Sequence, residues 1–93
     1  MAIYIVTYDL CSESSPDSFH KLQSLIKEDR RWACLGESSY LIESDRTAVE
    51  LRDSFKEILG PDDVLYVGMV SAPAAWIGYS KEVTEWIINK LQR

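Results

Sequence analysis

The run Ile3-Tyr4-Ile5-Val6-Thr7-Tyr8 constrains the fold more than any other stretch of this 93-residue chain. Side chains alternate between the two faces of a strand, so Tyr4, Val6 and Tyr8 share one side while Ile3, Ile5 and Thr7 share the other. Both sides are largely apolar or aromatic. Such a strand belongs in the middle of a sheet, with helices on one face and another element, a second subunit or a ligand on the other. Asp9 follows at once, where the strand leaves the core.

The remaining segments supply the neighbours. Behind the polar connection Leu10 to Ser15, Pro16 takes the first position of a helix with Ser15 as its N-cap. Phe19, Leu22, Leu25 and Ile26 recur at three- and four-residue spacing and give this helix, expected to reach about Asp29, one apolar face. Trp32 to Leu35 and Ser39 to Ile42 are short apolar runs separated by Gly36-Glu37-Ser38, the pattern of an antiparallel hairpin with Gly36 at the turn. A second helix, capped by Ser44 or Asp45, buries Ala48, Val49, Leu51, Phe55, Ile58 and Leu59 and is ended by Gly60-Pro61. Val64 to Val70 is a fourth strand, rich in branched residues, with Asp62-Asp63 leading in.

The order is therefore β-α-β-β-α-β. Right-handed crossovers then place both helices on one face of a four-stranded antiparallel sheet, an α+β ferredoxin-like sandwich with strand order 4-1-3-2. After a loop from Ser71 to Tyr79, a third helix starts near Ser80 with Val83, Trp86, Ile87 and Leu91 as its apolar stripe. The minimal fold has no place for it. Residues 1–93 read as a single domain in which 71–93 form a C-terminal loop and helix extension, packed either on the open sheet face or on a second copy of the chain.

A hydrophobic fraction of 46% and a charged fraction of 27% exclude a disordered or fibrous chain. The N-terminal apolar stretch is too short to span a bilayer and lacks a basic lead, so a cytoplasmic protein with no membrane partner is expected. Cys11 and Cys34 fit no Cys-x-x-Cys spacing and are expected to be reduced, with a bond between them left open. The net charge of −5 runs against a broad phosphate-gripping surface. Lys27, Arg30 and Arg31 nevertheless gather at the end of the first helix, as a local nucleic-acid contact or as cations favoured by the helix C-terminus.

Asp9 is the leading candidate for chemistry, because a carboxylate held at the rim of a sheet can be reached by a metal or a substrate. The alternative is that it caps the turn, accepting from backbone amides of the Leu10 to Ser14 connection. Asp62 and Asp63 read as a solvated turn after Gly60-Pro61. His20, the only histidine, flanks Phe19 and has no catalytic partner identifiable from spacing. The aromatic residues Tyr4, Tyr8, Trp32, Tyr40, Tyr66, Trp76, Tyr79 and Trp86 are either core and interface residues or a platform on which bases stack.

Tyr8-Asp9-Leu10 at the end of the first strand of a βαββαβ chain of this size resembles the CRISPR-associated protein 2 and VapD superfamily of small ferredoxin-like homodimers. Glu37-Ser38-Ser39-Tyr40-Leu41-Ile42 is similar to the serine-containing motif that opens that family's third strand. The resemblance covers about residues 1–70, while Ala74-Ala75-Trp76-Ile77-Gly78 and the third helix are similar to a bacterial subset labelled SinR-like. It implies a homodimer in which Asp9 and its symmetry mate hold a divalent metal, Mg²⁺ or Mn²⁺, for cleavage of RNA or DNA. Asp9 would be catalytic residue and metal ligand, Ser38 and Ser39 neighbouring polar contacts, and Lys27, Arg30 and Arg31 accessory nucleic-acid contacts. Many members follow the aspartate with Arg and Lys, whereas Leu10 to Asp17 has no basic residue. Some members act as dimeric scaffolds without required cleavage. The second expectation is accordingly a non-catalytic homodimeric module that binds a protein partner or an oligonucleotide. Small-molecule sensing, a third, rests on the fold alone.

Overall fold

The computed structural model describes residues 1–11, 16–28 and 31–91. Its elements are β1 (Ala2–Asp9), α1 (Pro16–Lys27), β2 (Arg31–Gly36), β3 (Ser39–Ser44), α2 (Ala48–Lys56), β4 (Val64–Val70) and α3 (Lys81–Leu91). β1 lies inside the sheet, as its two apolar faces require. It pairs antiparallel with β3, from Ala2 opposite Ser44 to Thr7 opposite Ser39, and with β4, from Ile3 opposite Val70 to Asp9 opposite Val64. β2 adds antiparallel to the far side of β3, so the order β2-β3-β1-β4 is the expected 4-1-3-2 read from the other edge. The chain is thus α+β, with a four-stranded antiparallel sheet and three helices.

The Tyr4, Val6 and Tyr8 side of β1 carries the larger core. Tyr40 and Ile42 of β3 join it, and Leu22 and Ile26 of α1 and Leu51 and Phe55 of α2 pack down on it. Phe55, Leu22, Ile26, Ile42, Leu51 and Val6 are fully buried. Along each helix these residues recur at three- or four-residue spacing, which is why one face of each helix is buried. Gln23 on α1 and Tyr40 on β3 add a polar tie, the amide donating to the phenol at 3.2 Å.

Several boundaries differ from expectation for local reasons. Thr47, not Ser44 or Asp45, caps α2: its hydroxyl accepts from the Glu50 amide at 3.1 Å, and the Glu50 carboxylate accepts from the Thr47 amide at 3.0 Å. Ser44 is still in the β3 ladder, and its hydroxyl accepts from the Arg46 amide at 3.1 Å. α2 stops at Lys56, and the amides of Ile58 and Leu59 bond back only three residues, to Phe55 and Lys56, tightening the exit before Gly60. α1 stops at Lys27, short of Asp29. The hairpin turns on Glu37-Ser38, because Gly36 is still paired with Ser39 across a bulge that follows Cys34.

α3 covers the opposite sheet face within the same chain. Ile87 is buried with Ile3, Ala33 and Leu41, and Val83, Trp86 and Leu91 pack around them. Ser80 caps the helix, its hydroxyl accepting from the Val83 amide at 3.2 Å. Two side-chain ties fix its position: the Trp76 indole donates to Thr84 at 3.2 Å, and Lys90 pairs with Glu43 of β3 at 3.1 Å with both side chains mostly buried.

The one-sided burial of α3 gives a direct check. Ile87 is 3% exposed and Ile88 44%. Ile87→Ala should lower the unfolding free energy by about 2–4 kcal/mol in urea titrations, whereas Ile88→Ala should change it by no more than about 0.5 kcal/mol. Equal losses would mean that the helix is not seated on its Ile87 face.

Candidate functional site

α3 leaves one part of its sheet face open, and Asp9 stands there. The β1 and β4 registers put Thr7 opposite Tyr66 and Asp9 opposite Val64, so these four side chains share the face that Ile3 and Ile5 present further along. Ser39 of β3 joins them, its hydroxyl 3.0 Å from that of Thr7. The Ser38 carbonyl accepts from the Tyr8 amide at 3.0 Å, extending the ladder one step towards the Glu37-Ser38 turn. Asp9, Ser38 and Ser39 therefore lie at one end of the sheet.

Thr7, Asp9, Val64 and Tyr66 border a shallow cleft of about 210 Å³. The Tyr66 ring lies over Gly68: a Cβ at residue 68 would come within 2.6 Å of it, so a larger residue there would displace this exposed side chain. In the sequence Tyr66 is one aromatic among several. Its signal was the period-two spacing of Val64, Tyr66 and Gly68, which places a large ring beside a residue with no side chain. The Asp9 carboxylate is exposed and has no hydrogen bond or ion pair among the described residues. Residues 12–15, whose amides belong to the turn-capping alternative, lie outside the described residues.

Asp63 has a defined role in placing this end of the sheet. One carboxylate oxygen accepts from the Cys11 amide at 2.8 Å and the other from the Gly60 amide at 2.8 Å. It ties the exit of β1 to the turn that starts β4, while Asp62 is exposed. The expected solvated turn is thus half correct, since only one of the two aspartates is free to face water.

The basic residues stand elsewhere. Arg31 stands opposite Glu43 in the strand ladder, and Glu43 opposite Ile3, at the end of β1 remote from Asp9. At about 3.4 Å per residue, Ile3 and Asp9 are some 20 Å apart along the strand. Lys27 lies with its ammonium 4.6 Å from the Trp32 ring centroid and 5.8 Å from that of Tyr40, an arrangement that satisfies a cation on aromatic faces. Arg30 lies outside the described residues. His20 is exposed and packs edge-on against Phe19, with ring centroids 5.9 Å apart. Neither Cys11 nor Cys34 is in a disulfide, and the Cys34 thiol donates to the Gly36 carbonyl at 3.1 Å.

Mg²⁺ and Mn²⁺ prefer six oxygen ligands, several of them water, anchored by one or more carboxylates. One chain supplies Asp9 and a Thr7 hydroxyl already engaged with Ser39. No group of three His, Cys, Asp or Glu side chains that could hold a metal occurs among the described residues. Among the described residues a single chain offers such an ion one carboxylate at this cleft, Asp9, and a second copy would bring another.

Tyr8 and Tyr40 are a coupled pair of phenols under the opposite face. Burial first, and then the neighbouring Tyr40 phenol, push the Tyr8 hydroxyl up to about 12, against the lowering effect of Gln23. Burial likewise raises Tyr40. Both stay neutral at physiological pH.

No family model matches the chain, and no curated protein is detectably similar to it in sequence. No described helix is long and apolar enough to cross a membrane.

Two outcomes follow from this geometry. Asp63→Ala should cost roughly 1–3 kcal/mol and speed hydrogen exchange at the Cys11 and Gly60 amides, while Asp62→Ala should stay within about 0.5 kcal/mol. Tyr8, whose folded pKa lies above its unfolded value near 10, favours the fold while protonated. Its contribution is complete below pH ~10 and lost as pH rises from there through about 12. Stability measured against pH should therefore fall more steeply across that window in the wild type than in Tyr8→Phe.

Proposed function

We propose that this chain works as a homodimeric binding module of the ferredoxin-like type, its subunits meeting through β4 and the uncovered part of the sheet. The observation that carries this reading is the character of β4. It is an edge strand, so its outer row of amides and carbonyls has no partner strand among the described residues. Val64, Tyr66 and Met69 are 59%, 64% and 68% exposed. Val64–Val70 contains no charged residue and no proline, the usual devices that stop an edge from pairing. A two-fold axis beside such a strand brings two copies together antiparallel, the self-complementary arrangement of most small oligomers. The homodimers of the CRISPR-associated protein 2 and VapD superfamily, which the Tyr8-Asp9-Leu10 segment resembles, accord with it.

What the module carries is set by charge. A net charge of −5, with Arg31 at the far end of the sheet and Lys27 over Trp32 and Tyr40, favours a protein partner over a phosphate backbone at this surface. Metal-dependent cleavage of RNA or DNA is the second reading, favoured by the exposure of Asp9 one strand in from the seam and by Ser38 and Ser39 at the same sheet end. It too draws on a dimer, which would bring a second Asp9 to the cation.

Light scattering at micromolar concentration should give a dimer for the wild type and a monomer for the double variant Val64→Lys, Tyr66→Asp, with circular dichroism unchanged. A strict wild-type monomer would sink the proposal. On the dimer, Mn²⁺ calorimetry separates the two readings: about one saturable metal per dimer, lost in Asp9→Asn, would support the cleavage reading. No binding in either protein would leave the binding module alone.

A further inference from the structure

β4 is filled unevenly along its length. Leu65, Val67 and Met69 stand opposite Tyr8, Val6 and Tyr4, on the side of the sheet that α1 and α2 cover. Leu65 and Val67 are partly buried there, whereas Met69 is 68% exposed. Between α2 and the strand lies a shallow groove of about 270 Å³, lined by Ala48, Val49, Arg52, Leu65, Tyr66 and Val67. Val49, expected from the sequence in the buried face of α2, is 56% exposed beside it. Arg52, the charged residue of the lining, is paired with Asp53 at 2.8 Å. The strand thus carries an open groove towards one end and a bare methionine towards the other. On the opposite side Tyr66 alternates with Gly68, a large ring beside a residue without a side chain.

We infer that two copies pair β4 with β4 antiparallel about a two-fold axis at Val67, and that Met69 of each copy seats in the α2 groove of the other. This rests on the homodimer proposed above and commits it to one register. A two-fold perpendicular to the sheet keeps like faces together, so a residue must stand at the axis. With Val67 there, the whole of Val64–Val70 is paired. An axis at Tyr66 pairs only residues 64–68 and sets Met69 against the partner subunit's Asp63, whose carboxylate is already held by the Cys11 and Gly60 amides. An axis at Gly68 pairs only residues 66–70 and sets glycine against glycine. The Val67 register instead brings Met69 opposite the partner subunit's Leu65, at the groove. It also brings Tyr66 opposite the partner subunit's Gly68, a pairing in which a ring covers the gap that a glycine leaves. Both exposed side chains find a recess through a single operation. The same register sets the two Asp9 residues as far apart along the strands as Val64 and Val70, and three strand spacings across, about 25 Å in all. No single cation spans that distance. This seam therefore serves the binding module, and a metal shared between two Asp9 carboxylates needs the subunits to meet elsewhere.

Cross-linking reads the register. In the full chain with Cys11→Ser and Cys34→Ser, Val67→Cys should close a covalent dimer on mild oxidation, because residues facing each other across an antiparallel pair have Cβ atoms about 4.5–5.5 Å apart. Leu65→Cys and Met69→Cys chains should cross-link when mixed and not when alone. Val49→Lys, at an exposed position off the strand, narrows the groove and should weaken dimerisation at least about tenfold in light scattering on dilution. Should the Val67→Cys chain lose its native circular dichroism, the mixed pair decides. A dimer that forms without either cross-link, or that ignores Val49→Lys, overturns this register and leaves the homodimer standing. A strict monomer at micromolar concentration overturns both. One Mn²⁺ per dimer, lost in Asp9→Asn, would overturn the register as well, since it requires the two carboxylates together.

Discussion

The structure depends on the need to cover β1 twice. A strand with Tyr4, Val6 and Tyr8 on one side and Ile3, Ile5 and Thr7 on the other cannot be left with either face wet. The first side recruits α1 and α2, whose buried residues Leu22, Ile26, Leu51 and Phe55 meet it directly. The second side recruits α3, but an eleven-residue helix is about 16 Å long and cannot roof the whole sheet. It settles on Ile3, Ala33 and Leu41, towards β2 and β3, and leaves Thr7, Asp9 and the β4 edge outside. The open cleft beside Asp9, the bare β4 edge and the exposed carboxylate all follow from that shortfall.

The same arrangement sets the electrostatics. With Arg31 near Ile3 and Asp9 at the opposite end of β1, cation and carboxylate are separated by about 20 Å along the strand. That exceeds the ~8 Å Debye length at physiological salt, so neither end strengthens the other. A phosphate backbone held at Asp9 would receive little help from Arg31. Lys27 is further committed by its place over Trp32 and Tyr40. The two ends of the sheet are chemically independent surfaces, which is why the binding-module reading draws on β4 and not on the basic cluster.

Much of this was legible in the residues, and the failures have identifiable causes. Period-two and period-3.6 patterns marked the four strands and three helices, and the crossover rule ordered the strands, because those signals arise from burial along a single element. The α2 cap was misplaced although Thr47-Ala48-Val49-Glu50 carries the capping-box spacing, since Ser44 and Asp45 are good caps taken alone and only the β3 pairing removes Ser44 from contention. Asp63 could not be told from Asp62 by type or spacing; its partners Cys11 and Gly60 converge only once β1 and β4 pair. Where α3 docks was undetermined for a similar reason, as a stripe of Val83, Trp86, Ile87 and Leu91 fits any apolar face. The Lys90 pairing with Glu43 and the Trp76 bond to Thr84 are what bind it to this one.

The order of folding and association follows from the same division. Ile87 closes the second core with residues of its own chain, so no partner is needed to bury Ile3 or Leu41. A protein of this design has a complete core as a monomer, unlike obligate dimers whose subunits lack one. The proposed association at β4 would then be a step added to a finished fold, and its strength could change without unfolding the chain. An uncharged, proline-free edge bearing Val64, Tyr66 and Met69 would be a standing liability in a protein that never paired there, since a single lysine suffices to blunt it. Gly68 sharpens the point. A glycine weakens a strand interior, and here it clears the space that lets the Tyr66 ring lie flat against the face beside Asp9. Strand stability alone favours a larger residue at 68, and the proposed β4 seam accords with the glycine.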